Sequence, residues 1–84
     1  GGRYMDHKTL AGEYRVSGEA CRSRAAMLER DLRRRQKLGE ITALETTRLR
    51  RRISMLRGMA RDCAGTAAYL ENYYRGGPGF ELYI

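Results

Sequence analysis

His7 is the sole histidine, and no cysteine or carboxylate flanks it at metal-ligand spacing, whereas zinc needs four such ligands, or three and a water. The two cysteines, Cys21 and Cys63, are expected to be small buried thiols rather than a disulfide. Paired carboxylates occur at Glu29 with Asp31 and at Glu40 with Glu45. The first two point in different directions on a helix and the second pair flanks a turn. Neither pair sits in a dry pocket that would raise a pKa for general acid work. The glycine run Gly76-Gly77-Pro78-Gly79 follows a helix instead of preceding one, so it is no phosphate-cradling loop. No catalytic, metal or cofactor-binding residue is assigned.

The charged residue with reach is arginine. Between Arg30 and Arg52 nine cations face three acids, Asp31, Glu40 and Glu45, so this segment carries +6 of the chain's formal +7. Arg30, Arg33, Arg34, Lys37, Arg48, Arg51 and Arg52 form the candidate anionic-ligand patch. Guanidinium forks suit bidentate phosphate contacts. The competing reading is a solvated helix face with ordinary i,i+4 pairs, such as Glu29 with Arg33 and Asp31 with Arg35. No aromatic residue stands among these arginines to stack a base, and no helix-turn-helix pattern is present.

These residues need helices to position them. Apolar residues recur in threes and fours at Tyr14, Gly18, Cys21, Ala25, Leu28 and Leu32, and again at Leu49, Ile53, Leu56, Ala60, Cys63, Ala67, Leu70 and Tyr74. Both are a/d seams of amphipathic helices. Gly39 is placed to end the first, and Thr42-Ala-Leu-Glu45 reads as a capping box opening the second. The expected fold is therefore all-α, an antiparallel, coiled-coil-like two-helix hairpin over residues 6–75. Helix 1 spans about 7–38, the turn 39–42 and helix 2 about 42–75. Asp6 or Thr9 would cap helix 1, with Ser17 a later alternative. Residues 1–5 read as an appended or disordered start, with Met5 a native beginning. Residues 76–84 read as a Gly/Pro hinge and a tail whose Phe80–Ile84 alternation fits a strand, an arm or a frayed end.

Folding the chain about the bond between Glu40 and Ile41 pairs Leu32 with Leu49, Leu28 with Ile53, Ala25 with Leu56, Cys21 with Ala60, Gly18 with Cys63 and Tyr14 with Ala67. Large side chains meet near the turn and small ones meet in the middle. His7 then falls opposite Tyr74, out of reach of either thiol. A faint internal repeat relates residues 22–28 to residues 50–56, which either duplication or helix-forming composition explains.

A second apolar stripe, Met55, Met59, Thr66, Tyr69 and Tyr73 with Met27 from helix 1, lies beside the seam, and one hairpin cannot cover both. Methionine and tyrosine suit an adaptable interface. Met27, Met55, Met59, Tyr69 and Tyr73 are the candidate self-association residues, with a homodimer completing a four-helix bundle. An 84-residue chain with two helices buries little apolar area alone, which points the same way.

Glu13-Tyr14-Arg15, Arg50-Arg-Arg52-Ile53 and Tyr69-Leu70-Glu71-Asn72-Tyr73-Tyr74 together resemble a group of short, uncharacterised bacterial proteins found in gut anaerobe and mobile-element genomes. The resemblance spans most of residues 6–75 and implies no functional residues. The hairpin is also similar to secreted WXG-type helical pairs, although Leu38-Gly39 stands at the turn without the tryptophan and the charge is strongly basic. Phage hairpins that sequester signalling nucleotides agree with it in size and charge.

The expected function is a non-enzymatic protein-interaction module, a self-associating scaffold or adaptor. The alternative is binding of nucleic acid, an anionic nucleotide or an acidic protein through the arginine-rich tip. No apolar run approaches the ~20 residues of a membrane span. Two cysteines without a signal peptide lead us to expect a reducing, cytoplasmic setting.

Overall fold

Two interlocking caps build the turn, and the turn decides which residues meet. The structure, a computed structural model, describes the backbone of residues 7–74 and the side chains of residues 9–72. The chain start at 1–5, the 76–84 hinge and tail, and the side chains of His7, Tyr73 and Tyr74 lie outside the described residues. Helix α1 runs His7–Leu38 and α2 runs Ala43–Tyr74, 32 residues each, or about 48 Å apiece at 1.5 Å per residue. They pack against each other, and the described residues are helical apart from the turn.

Helix α1 ends because Gly39 takes a left-handed conformation, with φ +70°. Its N–H donates to the Gln36 carbonyl at 3.1 Å, and the Glu40 N–H donates to the Arg35 carbonyl at 2.8 Å. These are the two bonds of a Schellman motif, which satisfies carbonyls the helix end would leave unpaired. Helix α2 starts with the reciprocal arrangement. The Thr42 N–H donates to Glu45 Oε1 at 2.9 Å, and the Glu45 N–H donates to Thr42 Oγ1 at 3.1 Å, a capping box. Arg35 ties the two caps together, donating to Glu45 Oε2 at 3.4 Å and to the Glu40 carbonyl at 3.4 Å.

The core is graded along the hairpin. Ala25, Leu32 and Ile53 are buried near the turn, with Leu28, Ile41, Leu49 and Leu56 packed on them. Farther out the buried positions are Ala11, Gly18, Ala60 and Ala67. Small residues there let the backbones approach. A Cβ added at Gly18 would lie 3.2 Å from Cys63 Cβ and 3.4 Å from the Ala60 carbonyl oxygen. Gly18 therefore faces Cys63, as the fold about residue 40 requires. Cys21 and Cys63 are half-buried free thiols.

Two predictions test this account. Gly12 has nothing within 4 Å of an added Cβ, in contrast to Gly18. Gly12→Ala is expected to stabilise the fold by up to ~1 kcal/mol through helix propensity, whereas Gly18→Leu should cost about 1–3 kcal/mol by forcing the helices apart. Urea unfolding of both variants reads the opposite signs, and equal shifts would contradict the close approach.

The second concerns acid. The Thr42 N–H, then the Thr42 hydroxyl, then the Arg35 guanidinium hold Glu45 below its ordinary carboxyl value. A pKa depressed by folding contributes stability above the unfolded value, and that contribution is lost as pH falls through the folded one. Thr42→Ala removes the hydroxyl and keeps the residue-42 N–H, so an NMR titration should find the Glu45 midpoint rising only part of the way toward the ordinary value. An unmoved midpoint would rule out the hydroxyl as a contributor.

Candidate interaction surfaces

Because α1 and α2 are antiparallel and packed along a seam, each contributes one flank to either side of the hairpin. Ion pairs identify the first flank. Arg15 grips both oxygens of Glu71 across the seam, Nε to Oε2 at 3.0 Å and Nη2 to Oε1 at 2.7 Å. Glu71 in turn keeps the Arg15 guanidinium charged above its already high range, by hydrogen bond first and by charge second. Fourteen residues further along α1, and fourteen back along α2, Arg57 Nη2 donates to Glu29 Oε1 across the same seam. Arg33 reaches Glu29 from within α1 at 3.7 Å. One register thus repeats after two heptads.

The next heptad step brings Gln36 opposite Arg50, and there the flank opens into a groove of about 540 Å³. Buried Leu32 and Ile53 form its floor. Arg33, Arg50, Arg57 and Arg61 stand round it with Gln36 and Ser54, and Glu29 is its one acid. Arg50 and Arg61 make no ion pair or hydrogen bond with the described residues. Four guanidiniums against one carboxylate leave this trough at +3.

The second flank carries an exposed apolar line among its charges. Met55 and Met59 are each two residues from Arg57, and Met27 is two from Glu29, which at 100° per residue turns them to the far side of the hairpin. Met27 is 57% exposed, Met55 60%, Met59 48% and Tyr69 67%. Arg52 and Asp62 continue the α2 line at spacings of three, and neither makes an ion pair within the described chain.

The seven residues of the sequence-selected anionic patch are all exposed, but they do not share one surface. Arg30 lies two residues from both Leu28 and Leu32, and Arg51 two from both Leu49 and Ile53, so both point off the backs of their helices, as Lys37 does. Arg34, paired with Asp31, Arg48 and Arg52 fall on the methionine side. Arg33 alone lines the groove. Arg57 and Arg61, which do line it, stand outside the dense run near the turn. The signal that finds them is spacing: Arg50, Ser54, Arg57 and Arg61 recur at four, three and four residues, a single helical stripe.

Among the described residues no three His, Cys, Asp or Glu side chains converge as metal ligands would, and no helix is long and apolar enough to cross a membrane. No known protein family, curated protein or solved structure matches this chain.

Proposed function

We propose that this hairpin is a non-enzymatic interaction module that self-associates through its methionine flank. The carrying observation is a thin core beside an uncovered apolar line. Among the described residues the buried apolar ones are Ala11, Ala25, Leu32, Ile53, Ala60 and Ala67, four of them alanine, and no large side chain is fully buried. Burying a leucine, isoleucine or methionine fully is worth about 1.5–3 kcal/mol. Larger groups than most of those buried, Met27, Met55, Met59 and Tyr69, meanwhile stay in water.

The second copy is favoured as the occupant because the α2 stripe is complementary to itself. Arg52, Met55, Met59 and Asp62 follow at three, four and three residues. An antiparallel α2–α2 contact centred between the two methionines sets Met55 against Met59 of the other copy and Arg52 against Asp62. A twofold axis produces each contact twice. Two hairpins joined this way form a four-helix bundle, with Met27 beside the contact from α1.

Sedimentation equilibrium across a concentration range is expected to show a dimer. Arg52→Asp and Asp62→Arg should each weaken it by about tenfold or more, since each places like charges together at two symmetry-related sites worth up to ~1 kcal/mol apiece. The double variant should restore it. A monomer at all concentrations, or a double variant as weak as the singles, would refute the arrangement.

A second reading has its own observation: the turn half of the hairpin carries Arg30, Lys37, Arg48, Arg50, Arg51 and Arg52 without acid partners among the described residues. That supports binding of an anionic ligand, nucleic acid or nucleotide, as a further role.

A further inference from the structure

Resting on that second reading, we propose that the ligand is the phosphodiester backbone of nucleic acid and that it lies in the arginine groove, not over the tip. Four observations choose this ligand and this place.

The cations are strung out along a line. Arg50 and Arg61 are eleven residues apart on one α2 stripe with Arg57 between them, a span of about 16 Å at 1.5 Å per residue. Arg33 and Gln36 answer from α1 across the groove. An arrangement for one compact anion would converge on a point, whereas this one follows an extended polyanion. Arginine's planar fork offers each phosphate two parallel N–H donors.

Charge is available there. Glu29 engages Arg57 and Arg33, while Arg50 and Arg61, at the two ends of the stripe, hold no acid among the described residues. A passing phosphate chain meets free guanidiniums at both ends of a trough whose lining carries +3 in all.

The groove lacks the features other partners need. None of the exposed large apolar side chains, from Val16 to Tyr69, lines it. A lipid surface is held by apolar residues beside the basic ones, and a protein interface by a buried aromatic or aliphatic anchor. Those side chains occupy other parts of the surface, with the methionines on the opposite flank. The lining also holds no aromatic residue, so no base can stack. Recognition is therefore of backbone, independent of sequence and steeply dependent on salt.

The test is fluorescence anisotropy of labelled 20-nucleotide DNA, duplex in one arm and single-stranded in the other, with the full chain across a salt series. The wild type should lose affinity linearly in log–log form, with a slope of about −3 to −4 if each groove arginine displaces one counterion. Arg50→Gln with Arg61→Gln should weaken binding at least tenfold at low salt and reduce that slope by about two. A comparison variant, Arg30→Gln with Lys37→Gln and Arg51→Gln, removes three charges from the backs of the helices and should bind within about threefold of wild type. All five residues are exposed and lack intrachain ion pairs among the described residues, and circular dichroism is expected to show both variants as helical as the wild type. If the comparison variant loses as much as the groove variant, the groove is not the site, although the anionic-ligand reading stands. If the wild type binds neither DNA form at low salt, both fail. If vesicles containing anionic lipid compete DNA off at matched charge, the ligand class is wrong.

Discussion

The four residues from Gly39 to Thr42 constrain everything else in this molecule. A left-handed glycine closes α1, a capping box opens α2 immediately afterwards, and Arg35 bonds to both. With the connection this short, the helices can only lie antiparallel in one register. A slip of a full heptad would match the apolar stripes again but would move the bend off the glycine. Thus backbone chemistry at one point fixes side-chain neighbours far along both helices, including Gly18 against Cys63 and Arg15 against Glu71.

That register also sorts the surface. Ridges of seam residues separate two flanks, and heptad spacing carries each line of residues to one of them. The ion pairs that cross the seam and the arginine groove lie on one side, and the methionines and Tyr69 on the other, with Arg34, Arg48 and Arg52 beside them. The exposed ion pairs bring register more than energy, since solvent and salt screen them. The apolar seam provides what cohesion the hairpin has, and its alanine-rich outer half provides little.

The hairpin was legible in the residue pattern because its signals are local and redundant. Gly39 and the Thr42–Glu45 box mark the bend, and the a/d stripes mark the faces that meet. Pairing Leu28 with Ile53 and Gly18 with Cys63 needed only the bend and the helical repeat. The methionine line was readable for the same reason, and Met27, Met55, Met59 and Tyr69 are exposed as that line implies. The arginine groove is not legible in that pattern. Density along the chain drew attention to residues 30–52, yet on a helix adjacent residues point 100° apart, so a dense run spreads round the whole circumference. Arg57 and Arg61 share a side with Arg50 through spacing alone, and recognising the trough required knowing that Arg33 and Gln36 stand across from them. That knowledge lives in tertiary structure.

The placement of the two flanks on opposite sides has an implication for valency. A twofold dimer of the proposed kind, joined through one flank, would leave the other facing outward in both copies, so such an assembly would carry two identical grooves and neither would be consumed by pairing. Any ligand long enough to reach both would meet the second as an intramolecular event, and avidity could exceed the single-groove affinity by about 10²–10⁴ without a new contact. Weak individual grooves and a modest dimer would then reinforce each other, each raising the occupancy of the other by linkage.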